Sequence, residues 1–247
     1  MKLAAVQYRA PKGRPDRARA ELAVLVADAG GRGADLVVLP EMATTGYIWE
    51  SPAEIGPLAE PPRGPTFRVL SEAAASAGCW VVCGFPEAFE QVGGPPDQRW
   101  VALYNSAMVI SPAGELVTCY RKVLLFDADE TWANPGHRRV VVPADFGRIV
   151  PGICMDLNDP GFTGHLERVD PAVLAFCTNW LEEGLDVHAY WASRLGGWRG
   201  WTVAANTWGD DRGTRFCGRS AILGPGGVVV AQAGVEGDGI LLVDTEA

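Results

Sequence analysis

The chain has 247 residues, 48% of them apolar, and a formal net charge of −9. That apolar share is enough for a sizeable core and excludes a disordered chain. The acid-biased charge, with both signs mixed along the sequence, excludes the basic patch that nucleic acid or an anionic membrane surface would require, and charges interrupt every apolar stretch short of a membrane span.

In chain order, "LAAVQY" reads as a strand, and Pro15 to Ala29 as an amphipathic helix with Leu22, Leu25 and Val26 on one face. Pro15 suits a first helical turn and Gly30–Gly31 a helix end. "DLVVLP" is a continuous apolar run, as expected of a strand covered on both faces. A second helix is predicted from about Thr66 to Ala77, then a strand "WVVCGF", then a loop or hairpin tip over 86–99. Hairpins follow, turning at Pro112-Ala113-Gly114 and at Ala144 to Gly147. "AVLAFCTNW" is a strand, Leu185 to Trp198 a helix and "WTVAANTW" another strand, with a last hairpin in "SAILGPGGVVVAQA" and a final strand in "GILLVDTEA". With neither linker nor low-complexity tract, the pattern is one mixed α/β domain over 1–247, with sheets covered by helices.

The N-terminal segment has no secretory cleavage pattern, which implies a cytoplasmic protein. The six cysteines lie in apolar segments, as small core residues do. In a strand, Cys79 and Cys83 would stand roughly 13 Å apart, too far to bridge. His137, His165 and His188 are scattered and no CxxC occurs, so neither a metal nor another cofactor is expected.

Three reactive residues end apolar strands: Glu41 in "LVVLPEMATTGY", Lys122 in "CYRKVLLFDADETW" and Cys154 in "RIVPGICMDLND". Each alone has a simpler explanation: a solvated strand-end carboxylate, an edge-strand lysine, a core cysteine. Together they supply what covalent acyl transfer needs, namely a base, a positive charge for an oxyanion, and a nucleophile. A thiol between a strand and a tight turn is presented beside free backbone N–H groups. A buried ammonium at Lys122 needs a carboxylate, for which Glu41 or Glu130 can serve, whereas Asp127 and Asp129 read as solvated.

These segments resemble the nitrilase superfamily of carbon–nitrogen hydrolases, and the resemblance covers nearly the whole chain. "CTNW", "RLGGWRGWTVAAN" and "FCGRSAILGPGG" resemble later family segments. The resemblance implies a four-layer α-β-β-α sandwich with two mixed sheets. It also implies Glu41 as general base, Lys122 and the Met155 N–H as oxyanion donors, Cys154 as nucleophile, and Glu130 as the second glutamate. "YRKVLLFDADETW", "ICMDLN" and "YWASRL" are closest to protein N-terminal asparagine/glutamine amidases. On that resemblance the substrate is a small-molecule or peptide amide, and Asp129 or Asp156 could meet an α-ammonium. Trp132 and Trp180, with Asn179, are expected to line the substrate pocket.

The pattern also departs from the family. Asn158 stands where many members have arginine, which weakens the case for a carboxylate-bearing substrate, and Gly197 replaces a usual glutamate. The sequence given ends with "LLVDTEA", without the C-terminal tail that many relatives wrap around a partner subunit, so the homodimer usual in the family is less secure here. Two alternatives remain: a nitrile hydrolase, disfavoured by Met155 where nitrilases tend to have tryptophan, and a catalytically quiet binding member, disfavoured by retention of all four reactive residues.

Overall fold

The computed structural model describes residues 1–92 and 99–246. The first sheet is built from β1 (Lys2–Gln7), β2 (Leu36–Val38), β3 (Trp80–Val92), β4 (Arg99–Ile110) and β5 (Leu116–Arg121). The second takes β6 (Val142–Ala144), β7 (Gly147–Ile153), β8 (Val173–Cys177) and β9 (Trp201–Ala205). A separate hairpin, β10 (Trp208–Asp211) with β11 (Thr214–Cys217), precedes β12 (Ala221–Leu223) and β13 (Val229–Gln232), which complete the second sheet. The last strand, β14 (Gly239–Asp244), returns to the first sheet antiparallel to β1. The strand orders are β14-β1-β2-β3-β4-β5 and β13-β12-β9-β8-β7-β6. Both sheets are mixed: β1, β2 and β3 run parallel, as do β7, β8 and β9, and hairpins extend each set.

Helices α1 (Pro15–Gly31) and α3 (Pro65–Ala77) cover the first sheet, with the short turn α2 (Pro52–Ile55) between them in sequence. Leu22, Val26, Leu70 and Ala74 pack there on Ala4, Val6, Val37 and Val81. After a one-turn helix α4 (Asp127–Glu130), helices α5 (Pro160–Val169) and α6 (Val187–Leu195) cover the second sheet through Phe162, Leu166, Trp191 and Leu195. Strand alternation sends Leu3, Ala5 and Val38 to the opposite face, into the layer between the sheets. The result is the four-layer sandwich expected from the resemblance. Among the described residues, no helix is long and apolar enough to cross a membrane.

Three elements differ from the sequence expectation. β3 does not stop at Phe85 but runs through Pro86 to Val92, paired with β4 throughout. Gly84 and Pro86 direct their carbonyls away from β4, to Ala43 and Glu60, so the missing proline N–H removes no β3–β4 ladder bond. The expected hairpin tip is confined to 93–98, outside the described residues. Helix α5 and the β10–β11 hairpin were not anticipated: α5 buries only Phe162 and Leu166, and the hairpin is mostly polar. All six cysteines are free.

Candidate active site

The tips of both sheets meet at one end of the sandwich. Glu41 lies in the turn after β2, Lys122 immediately after β5, Cys154 at the start of the tight turn Cys154–Asn158 after β7, and Asn179 just beyond β8. Glu41, Lys122 and Cys154 are 1%, 0% and 6% exposed. The turn holding Glu41 presses on β3 so closely that a Cβ on Gly84 would stand 2.5 Å from Glu41 Cα and from the Pro40 carbonyl oxygen. Gly84→Ala is therefore expected to push the Glu41 turn outward, costing about 1–3 kcal/mol in overpacking and about 100-fold in kcat/KM. Melting curves and amide hydrolysis rates check both, and a fully active variant would show that the turn yields without moving Glu41.

Lys122 is the centre of a buried network. Its Nζ donates to Glu41 Oε1 at 2.7 Å and to Asp129 Oδ2 at 2.6 Å. Tyr47 donates its hydroxyl to Asp129 Oδ2 at 3.1 Å, and Asn105 donates from one Nδ2 to both Glu41 Oε1 (2.7 Å) and Asp129 Oδ1 (2.9 Å). The Asn179 backbone N–H donates to Glu41 Oε2 at 2.9 Å. Two buried carboxylates thus share one ammonium. Burial, together with the Asp129 charge and against the pull of Lys122, raises the Glu41 carboxyl to about 7. Burial opposes the Lys122 charge, but Asp129 and Glu41 more than offset it, so the ammonium holds its proton well above the ordinary lysine range. Burial and the Glu41 charge push the Cys154 thiol upward, so the resting sulfur is protonated at neutral pH.

Cys154 has φ +42°, the left-handed region that a non-glycine residue adopts only where surrounding structure holds it. What holds it is Asp156. Its Oδ2 accepts from the Ile153 N–H (3.0 Å) and the Tyr120 hydroxyl (2.7 Å), and its Oδ1 from the Val123 and Leu124 N–H groups (2.9 and 3.0 Å). One carboxylate therefore ties the thiol-bearing turn to the lysine-bearing segment.

Several of these residues stand in surroundings other than those expected. Glu130 is exposed and turned to solvent; the carboxylate facing Lys122 is its neighbour Asp129, fully buried. In the single turn of α4, Asp129 is the residue brought back over Phe126, whose N–H donates to its Oδ2 at 3.1 Å. Neither Asp129 nor Asp156 is free to meet an α-ammonium, since both oxygens of each already have donors. Asn179 holds the Glu41 turn, its Nδ2 donating to the Glu41 carbonyl at 2.9 Å, and also lines the cavity beside it. Trp132 is buried among Tyr47, Trp49, Met42 and Phe216, and its indole N–H has no partner among the described residues. Trp180 packs at 5.5 Å on Tyr190 and 5.9 Å on Trp191. Met155 is half-buried in the first turn after Cys154, where helical N–H groups have no partner within the turn.

Tyr47 and Asn105 were missed as site residues. Asn105, a polar residue inside the apolar strand "LYNSAMVI", was detectable as a buried amide needing partners. Tyr47 is anchored by its own backbone: Asp211 Oδ2 accepts from the Tyr47 and Ile48 N–H groups at 3.1 and 3.0 Å and from Lys12 Nζ at 2.8 Å. A cavity of about 370 Å³ reaches Glu41, Tyr47 and Asn179, with Lys12, Asp211 and Phe216 on its walls.

The sequence pattern of the carbon–nitrogen hydrolases matches residues 2–246. The chain belongs to the carbon–nitrogen hydrolase family. This carbon–nitrogen hydrolase is 30% identical over 239 residues to a nitrilase of Pyrococcus abyssi, covering 94% of this chain and 85% of that protein. It is 28% identical over 228 residues to the protein N-terminal amidase of Schizosaccharomyces pombe, covering 76% of this chain and 78% of the relative. In fold it matches a variant of the amidase from Nesterenkonia sp. AN1 with a TM-score of 0.83 at 22% identity, over 99% of this chain and 92% of that one.

Proposed function

We propose that this hydrolase is a thiol amidase that cleaves a primary amide, of the asparagine or glutamine side-chain type, and releases ammonia. The observation that carries the reading is the enclosure of a base carboxylate, an ammonium and a thiol, delivered from separate strand tips and shielded from water. Glu41 takes the Cys154 proton as the sulfur attacks the amide carbon. The oxyanion is met by Lys122 and the Met155 N–H, each donor being worth a few kcal/mol of barrier by the usual magnitude of such interactions. The C–N bond then breaks, Glu41 returns its proton to the departing nitrogen, and ammonia leaves a thioester on Cys154. Water deprotonated by Glu41 adds to the thioester, the C–S bond breaks, and the acid departs with the thiol restored. Asp129, with Tyr47, holds Lys122 in place, beside Glu41, which the sequence had offered with Glu130 as the carboxylate for this ammonium.

The side-chain amide preference draws on relatives named protein N-terminal amidase in two yeasts. A nitrile substrate is the second reading, favoured by the Pyrococcus abyssi relative's name. A mutant of the Nesterenkonia amidase carries acrylamide added at its active-site cysteine.

The test is ammonia release from a panel: peptides with N-terminal asparagine or glutamine, the free amino acids, ω-amides, aliphatic amides and one nitrile. N-terminal amide peptides are expected to lead. Because Glu41 works as a base only when ionised, kcat/KM should fall as pH drops through about 7. Nitrile turnover without amide turnover would replace the amidase reading, and silence across the panel would leave a binding role.

A further inference from the structure

Asn105 sits in the middle of β4, fully buried, where an amide side chain has low strand propensity and must find partners. Its backbone carbonyl accepts the Lys122 N–H at 2.9 Å, so strand pairing fixes it opposite the lysine. Both side-chain N–H groups go to the two carboxylates that flank Lys122, while its own carboxamide oxygen has no donor among the described residues. An amide kept only to stabilise the strand would not leave a buried oxygen unpaired. The opposite amide orientation would set that oxygen against two carboxylates, so the assignment of nitrogen and oxygen is fixed by chemistry.

The consequence falls on Glu41. Each carboxylate oxygen accepts about two hydrogen bonds. Oε1 already has two, from Lys122 and Asn105, whereas Oε2 has one, from the Asn179 N–H. We infer that Asn105 is a positioning residue that decides which Glu41 oxygen carries the catalytic proton: with Oε1 filled, the proton leaving Cys154 goes to Oε2. The inference rests on the amidase reading for its role in turnover. In the step, the S–H bond breaks, its proton moves to Oε2, and the sulfur's electron pair forms the bond to the amide carbon. Asn105 also keeps Glu41 ionised to lower pH, since a donor to the charged form favours it. The other titratable groups facing Glu41 are Lys122 beyond β5, Asp129 on α4, Tyr47 in its own loop, Cys154 beyond β7 and Cys177 on β8.

The decisive variants are Asn105→Leu, which keeps volume without a donor, and Asn105→Ser, which keeps one donor. Two readouts are taken across pH 5–9: kcat/KM, and the rate at which iodoacetamide alkylates Cys154, followed by mass spectrometry with Cys154→Ala as the background. In Asn105→Leu the acidic limb of both profiles should move up by about one pH unit, with a smaller shift in Asn105→Ser. A lower rate on an unshifted limb would mean that Asn105 only fills space, and would overturn the inference. Should Asn105→Leu show no cooperative melt, the Asn105→Ser profiles decide alone: an upward shift upholds the inference and an unshifted limb overturns it. The alkylation profile needs no substrate, so a wild type that hydrolyses no amide would sink the amidase reading while leaving Asn105 still under test.

Discussion

Under the proposed mechanism, Cys154→Ala is expected to lower ammonia release by at least about 10,000-fold while leaving the fold intact, because covalent catalysis has no substitute once its nucleophile is gone. Among the described residues the site offers no second candidate. Cys177 is sealed in the core with its thiol pushed up by burial, Cys83 is likewise buried and raised, and the thiol of half-buried Cys119 is raised as well. Lys122 donates its protons to carboxylates and stays charged, so it cannot attack in place of the thiol. The substitution removes one sulfur at a turn tied down by Asp156, and stability should change by no more than about 1 kcal/mol. Steady-state ammonia release and a melting curve measure the two effects. Intact-mass spectra of the wild type with a slow amide should show one acyl group on Cys154. Residual turnover within about tenfold of the wild type would place the chemistry elsewhere.

Lys122→Met should damage both rate and fold. It removes the only cation that, among the described residues, meets this buried pair of carboxylates held to Asn105, and truncating one partner of a buried ion pair commonly costs about 3–5 kcal/mol. For a chain of this size, each kcal/mol moves Tm by about 2–4 °C, so a fall on the order of 10 °C is expected. On the proposed mechanism, loss of an oxyanion donor should lower kcat by about 100- to 1,000-fold in the protein that remains folded. The pH dependence carries the diagnosis. The Glu41 carboxyl is already raised to about 7 by burial, and losing Lys122 raises it further. A carboxyl raised in the folded state binds a proton that the unfolded chain lacks, so its stabilising effect is present at low pH and lost as pH rises through the folded value. The Tm deficit should therefore be small near pH 5 and large near pH 8. An equal deficit at both would assign the loss to packing and not to the two carboxylates.

The separate βα units, the hairpins and the three strand-tip residues were legible because each rests on local pattern: an apolar run, a turn pair, and a reactive group where the run stops. The choice between Asp129 and Glu130 was not. In "FDADE" three acids follow within four positions, and which one turns inward depends on where a one-turn helix begins, a phase set by contacts with Lys122 and Phe126 rather than by periodicity. Asp156 read as a substrate contact because its sequence neighbours say nothing of the Val123 and Leu124 N–H groups that reach it from 33 and 32 residues away. Tyr47 lay within a segment singled out for Glu41, yet its approach to Asp129 spans 82 positions. Helix α5 had a start signal in Asp159-Pro160, with Asp159 accepting the Gly161 N–H, but too few apolar residues to show a period.

The reacting groups are divided between the two sheets. Glu41 and Lys122 ride on the first and Cys154 on the second, with β3 lying over β8 and β4 over β7. The sandwich therefore behaves as a caliper whose jaws are the sheets and whose reading is the gap between base and thiol. The residues that set the gap are Val38, Val82 and Ala107 on one jaw and Ile153 and Ala175 on the other, all buried in the shared layer. A methyl group gained or lost there alters the spacing before it breaks either sheet. In this architecture, selection on turnover extends to aliphatic side chains that never touch a substrate.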